Sequence, residues 1–424
     1  MTNLGAAQNT IQATYRIVTP MFCGGAEQQA EFRLASFKGV LRFWWRALMW
    51  GRLQDLNRLR KEEAELFGSS DEGQSRFLMR LTQPPIGNVI EKKSQLKDGN
   101  ALVGEGARYL GYGVMEAFDR RDRDTGQIKS RAAELSRACV SAPDSFGLEL
   151  RFVPATSDTQ QQQVVRAIKL VGLLGGMGGK SRKGYGSFTL AKLSRNKMDD
   201  WSIPKSLDEF QVTLREVLLT AGIDNGQTAL PRSESALMTS FVSGFRIVAI
   251  EGQKEESALR LLDRIGREMV RYRSWGNKGK VLGGIPREPN FRFQADHDLM
   301  RVKPVPAELR NMHPQRIAFG LPHNYGQKPQ DQVEPADPKF DRRASPLFVH
   351  IHQAEGSPPI GVLTFLPAMF LPRGRDEIAV GGKQVSLQTK DFWKPVTNFL
   401  DRLLSPSERK EFIASDRVVE VARG

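Results

Sequence analysis

Five histidines, His297, His313, His323, His350 and His352, are the groups best suited to proton transfer or metal ligation in this 424-residue chain. His350 and His352 stand two apart in a run that reads as a strand, so their side chains share a face. That spacing suits a metal ion or an acid–base pair. No H-E-x-x-H, no cluster of Cys and His and no paired carboxylates accompany them. Asp296-His297-Asp298 reads as a solvated loop, and no serine sits in a nucleophile elbow. The expectation is no catalytic residue, no metal and no cofactor.

The glycine-rich run 172–187 points to a different chemistry. It has glycines at 172, 175, 176, 178, 179, 184 and 186, interleaved with Lys180, Ser181, Arg182, Lys183 and Tyr185. A Walker A loop ending at Gly179-Lys180-Ser181 needs glycine at 174, where Leu174 stands. A dinucleotide fingerprint starting at Gly176 fails at its third glycine, which is Ser181, and it needs strand before helix, the reverse of the order here. What fits is a flexible basic loop from a helix into a strand. Gly176, Gly178 and Gly179 let the backbone approach phosphate or ribose oxygens beside Ser181. Lys180, Arg182 and Lys183 neutralise phosphates, and Tyr185 offers a stacking ring.

A second basic feature lies at 36–50. At 100° per residue, Phe37, Leu41, Trp44 and Leu48 form one apolar stripe. Lys38, Arg42 and Arg46 form a separate continuous basic stripe, with Trp45 beside it. Residues 33–52 hold five cations and no acid, so i,i+4 pairing within the helix cannot neutralise them. The stripe is expected to need an external partner, with a solvated face as the alternative. Arg271, Arg273, Lys278 and Lys280 make a third, weaker cluster within 264–280, where Arg264 and Glu268 are spaced to pair.

The elements that must position these residues alternate between periods of two and 3.6. Strands are expected at 11–22, 76–81, 101–112, 146–153 and 186–193, and helices at 36–49, 61–67 and 159–174. A polar connection, 196–239, holds one helix at 207–219. A second series follows: strand 241–250, helix 255–273, strands 316–321, 347–351 and 361–370, and helix 391–404. The Pro-, Gln- and Asp-rich stretch 320–346 reads as a long surface loop. Each half thus has the order of a βαββαβ unit. The expected class is α+β, with two ferredoxin-like domains in tandem, residues 1–195 and 240–424.

Composition bounds the function classes. Lysine and arginine number 62 against 48 acids, a net charge of +14, which favours polyanionic partners. Cys23 and Cys139 cannot form a disulfide framework and fit a reducing compartment. No secretory signal is visible at the N-terminus, and apolar runs fall short of the roughly 20 residues of a membrane span. A cytoplasmic protein with no membrane partner is expected.

Taken together, Pro20 to Gly25, the helix Ser36-Phe-Lys-Gly-Val-Leu-Arg-Phe-Trp-Trp-Arg46 and the loop Gly175 to Gly186 resemble the RAMP superfamily of CRISPR effector proteins. Within it, the pattern S-x-K-G-x-L-R-x-W-x-R is similar to the Cmr (type III-B) subunit at the head of the guide-bearing filament. Glu65-Leu66-Phe67-Gly68 and Ala344-Ser-Pro-Leu347 match further family segments. The resemblance implies two ferredoxin-like domains and a non-catalytic role in antiviral defence. The implied partners are the 3′ region of the guide RNA (crRNA), the paired target RNA and other RAMP subunits. It implies RNA contacts at Lys38, Arg42, Arg46 and residues 178–185. The alternative within the superfamily is a metal-independent endoribonuclease that processes guide RNA, using a base such as His313 or His323. No aromatic strand of the RRM type is evident, so contacts should be mostly to the RNA backbone.

Overall fold

Alternating burial of Ile11, Ala13, Tyr15 and Ile17 makes Thr10–Ile17 a strand (β1) with one face in the core. In this computed structural model the described residues are 9–25, 29–85, 89–122, 124–196, 198–223, 230–232, 236–274, 280–281, 284–286, 288, 292–302, 304–326 and 331–424. After β1 come helices α1 (Leu34–Leu53) and α2 (Leu56–Phe67), then strands β2 (Phe77–Gln83) and β3 (Asp144–Phe152). Helix α3 (Asp158–Leu174) and strand β4 (Phe188–Arg195) complete the first series. A capping box starts α3, with Ser157 and Gln160 satisfying each other's backbone amides. The sheet is antiparallel, in the order β4–β1–β3–β2, and the short strand Met198–Asp199 extends the β4 edge.

The connection 196–239 contains α4 (Leu207–Thr220), which is no mere linker. Its Leu207, Phe210 and Leu214 are fully buried in the core. The second series is β5 (Arg246–Glu251), α5 (Ala258–Arg273), β6 (Leu347–His352), β7 (Ile360–Phe365), α6 (Lys394–Leu404) and β8 (Val418–Arg423). Its antiparallel order is β6–β7–β5–β8. Numbered within each series, both sheets have their strands in the order fourth, first, third, second. Neither core respects a boundary between the series: Phe348 and Val362 join the cluster around α1 and α3, while Phe22 and Tyr185 join the cluster around α5.

Two expected strands differ, and one strand was not expected. Residues 101–112 form only Ala101–Leu102 and then a helix, Glu105–Leu110, whose Gly106 meets Gly266 of α5 backbone to backbone. Residues 316–321 lie largely in a short 3-10 helix, Gln315–Phe319. Strand β8, unexpected from sequence, closes the second sheet through β5. The 320–346 stretch is also partly ordered into strands: His323–Asn324 and Gln332–Pro335 pair in a separate sheet with Glu377–Val380 and Lys383–Ser386.

Strand β6 joins the two series. Val349 N donates to Arg182 O (3.1 Å), Ile351 N to Ser187 Oγ (3.1 Å) and Gln353 N to Thr189 Oγ1 (3.1 Å). His350 Nδ1 donates to Gly175 O at 2.6 Å and His352 Nε2 to Pro204 O at 2.8 Å. Burial pushes their pKa values down to about 3 and about 4, so both rings are neutral. The two histidines do share a face, and that face is the weld between the halves. Among the described residues no three His, Cys, Asp or Glu side chains gather as a metal site, and no helix is long and apolar enough to cross a membrane.

Candidate nucleic-acid interface

The loop after α3 is fixed rather than flexible. Gly179 N donates to Phe22 O (2.8 Å) and Gly186 N to Pro20 O (2.9 Å), while Thr19 Oγ1 donates to Gly184 O (2.7 Å). Gly178, Lys180, Gly184 and Gly186 all have positive φ. A Cβ at Gly186 would strike the Met177 carbonyl, and one at Gly178 the Phe22 carbonyl. The glycines therefore permit close packing of the loop on residues 18–22, and the amides of Gly179 and Gly186 are already used. Gly176 bridges to Ser187 at the loop's base.

Both aromatic candidates point inward. Tyr185 is fully buried, donating its hydroxyl to Ala107 O (2.9 Å) with its ring edge-on to Phe22. Trp45 is buried against Phe67, and its indole Nε1 reaches Gln163 Oε1 at 3.3 Å. Neither ring can stack on a base. Helical position alone put Trp45 beside the cations, but α2 covers that side of α1.

The α1 stripe has a counter-charge of its own. Glu63 of α2, almost fully buried, meets Arg42 Nε at 2.7 Å and Arg46 Nε at 3.7 Å. Lys38 lies over the Phe77 ring at 5.6 Å, its pKa lowered by burial and then by Arg42. The expectation of no partner in the chain is corrected for Arg42 and Arg46: their acid sits on the next helix, where spacing within α1 cannot reveal it.

What α1 presents to the loop is another face. Ser36, Gly39, Val40 and Phe43 line a cleft of about 270 Å3 with Gly175, Gly176, Ser181, Arg182 and Phe348. The Arg182 guanidinium lies over Phe348 (4.5 Å) and Phe43 (5.4 Å) and donates to Ser345 O (2.8 Å). Burial, then Arg343, pushes its pKa down to about 10, so it stays charged at neutral pH.

From this cleft a seam of cations runs along the junction. Burial, then Arg273, Lys180 and Arg182, pushes half-buried Lys183 down to about 7. Lys180 is lowered by burial, Arg137 and Arg342. Arg273 donates to Tyr109 Oη (2.6 Å) and approaches His323 Nδ1 (3.3 Å); burial and the arginines hold His323 neutral. The Arg343 guanidinium donates to the carbonyls of Phe370 and Met369. Among the described residues, no carboxylate forms an ion pair with Lys180, Arg182, Lys183, Arg273 or Arg343.

The third cluster splits. Arg273 belongs to the seam, but Arg271 is ion-paired with Glu411 and is corrected as a free cation. Arg264 pairs with Glu256 and Asp416, not Glu268, whose carboxylate takes Arg402. Lys278 lies outside the described residues, and of Lys280 only the backbone strand position is described. Arg137, Arg343, Phe43 and Phe348 were missed by sequence reading. Only the i, i+3, i+4, i+7 spacing of Ser36, Gly39, Val40 and Phe43 signalled the cleft wall.

Residues 14–189 match the sequence profile of the RAMP superfamily. The matched stretch holds the loop and the α1 wall of the cleft, while Arg273, Arg343 and Phe348 lie beyond it. The CRISPR system Cmr subunit Cmr1-2 of Pyrococcus furiosus is 34% identical over 116 residues, 26% of this chain. The aligned stretch spans 60% of that relative's length. The crystal structure of apo Cmr1 from Pyrococcus furiosus aligns over 98% of this chain and 99% of its own, with a TM-score of 0.50 and 17% identity. At that identity the likeness is one of fold: a mixed α/β chain with several small sheets.

Proposed function

We propose that the chain is a cytoplasmic, non-catalytic, RNA-binding subunit of a type III-B CRISPR Cmr effector complex. In this reading it engages the crRNA 3′ region and the target RNA paired with it, beside other RAMP subunits, in antiviral defence. It consists of two ferredoxin-like units, 1–195 and 240–424, around the connection 196–239. The fourth–first–third–second strand order of both sheets supports that division.

One observation carries the reading. Five cations converge on the junction with no carboxylate among the described residues to neutralise them, in a chain whose other arginines are widely paired. A ribose-phosphate backbone supplies the missing charge without requiring base readout. The profile match and the Cmr1-2 relative support the choice of complex.

Anisotropy titration of labelled single-stranded RNA against salt tests this. The log–log slope should be near −0.7 per phosphate contacted, and Lys180→Ala with Lys183→Ala should reduce it by about 1.4. An unchanged slope sinks the interface. Incubation with repeat RNA in the absence of metal should leave the RNA intact; product bands would favour the endoribonuclease, with His323 beside Arg273 as a candidate base.

A further inference from the structure

The cation seam leads to an aromatic cavity that the reading above does not use. Residues 368–376 and 387–393 enclose about 250 Å3, walled by Phe370, Phe392 and Trp393. The Phe370 and Phe392 rings are 4.6 Å apart, and Trp393 stands edge-on to Phe392 at 4.9 Å. Arg373, Asp376 and Thr389 line the opening from exposed positions. No described residue pairs with the Arg373 guanidinium or the Asp376 carboxylate. The wall is tied to the seam: Arg343, near enough to Arg182 to lower its pKa, donates to the Phe370 and Met369 carbonyls at 2.8 and 3.4 Å.

We propose that this cavity receives one unstacked base, preferentially guanine, of a single-stranded RNA whose backbone lies on the seam. The proposal rests on the RNA-binding reading and adds a subsite to it. Flat apolar walls favour an aromatic ring over a flexible aliphatic group. An ionised carboxylate only accepts hydrogen bonds. Guanine offers N1–H and the N2 amino group side by side, matching the two oxygens of Asp376. Uracil offers one N–H flanked by two carbonyls, which a carboxylate repels. Arg373 is placed to hold the adjoining phosphate. The cavity therefore supplies base selectivity that the seam, meeting only backbone, lacks.

The test is equilibrium binding of the full chain to two labelled RNAs, a uridine tract and the same tract with a central guanosine. The guanosine strand should bind about tenfold tighter, in line with one bidentate base contact. Asp376→Asn, and separately Thr389→Trp, which fills the opening from an exposed position, should erase that preference. Lys180→Ala with Lys183→Ala should weaken both strands alike. Equal wild-type affinity for the two strands overturns the cavity assignment and leaves the RNA-binding reading standing. A preference that survives both cavity variants does the same. A chain that binds neither strand overturns both.

Discussion

Arg42 and Arg46 on α1 are held by one buried carboxylate, Glu63, which α2 lays against them. Lys180 and Lys183 on the loop after α3 have other cations for neighbours. In sequence the two segments look alike: several cations and no acid. The difference lies in what packs on top. A helix surface covered by a second helix gains that helix's charges, and here Glu63 reaches back about 20 residues to complete a local ion pair. The loop is covered by β6, which presents backbone amides and neutral histidines. Clustered like charges raise the free energy of the unliganded chain, and a bound anion relieves that cost.

The largest expected effect separates the two regions directly. Lys180→Ala with Lys183→Ala should lower single-stranded RNA affinity about a hundredfold, taking two charge-assisted contacts at about 1.5 kcal/mol each. Arg42→Ala with Arg46→Ala should lower it less than about threefold, because those charges are already compensated. Anisotropy at matched salt measures both. If the helix pair costs as much as the loop pair, the contrast between the regions is broken.

The parts of the fold set by local periodicity were legible in the sequence: β1 from its alternation, α1 and α3 from their apolar stripes, α5 from 16 amphipathic residues. Those set by distant packing were not. Residues 101–112 read as one strand, yet Gly104 and Gly106 let the Glu105–Leu110 helix lie against α5. Strand β8 depends on pairing with β5, far away in the chain. At the site, residue types were legible and depth was not. Tyr185 and Trp45 look the same in sequence whether they face solvent or a core, and Glu63 has no periodic relation to Arg42. His350 and His352 were correctly placed on one face, but only the tertiary structure shows Gly175 and Pro204 opposite them.

Acid should weaken the histidine weld, where His350 meets the loop at Gly175 and His352 meets Pro204 in the connection. His352 has a folded pKa near 4 against about 6.5 unfolded. A depressed folded value means its contribution is intact above about pH 6.5 and lost as pH falls toward 4. At pH 5 this amounts to about 2 kcal/mol. Urea unfolding of wild type and His352→Gln at pH 7.5 and 5 measures it; equal losses in both would remove His352 from the weld. A smaller effect runs the other way for binding. Lys183 has a free pKa near 7, and a phosphate partner raises it. Affinity is then fullest below pH 7 and falls about fivefold between pH 7 and 8, with proton uptake on binding. Lys183→Arg should flatten that profile, and a wild-type profile already flat would mean Lys183 meets no phosphate.

The smallest effect sharpens the comparison most, because it tries to make one region behave like the other. Glu63→Gln keeps the shape of the side chain and one acceptor for Arg42 while removing the charge that holds both arginines. The arginines are more than a third exposed, so the stability loss should stay below about 1 kcal/mol. Freed of their carboxylate, Arg42 and Arg46 should now attract the RNA backbone, raising affinity about threefold at low salt and steepening the salt dependence by up to about 1.4. The gain should vanish in the triple variant that also carries Arg42→Ala and Arg46→Ala. Were affinity to stay at the wild-type value, missing counter-charge would not be what distinguishes the loop from the helix. The geometry of the β6-covered junction would then have to account for RNA binding by itself.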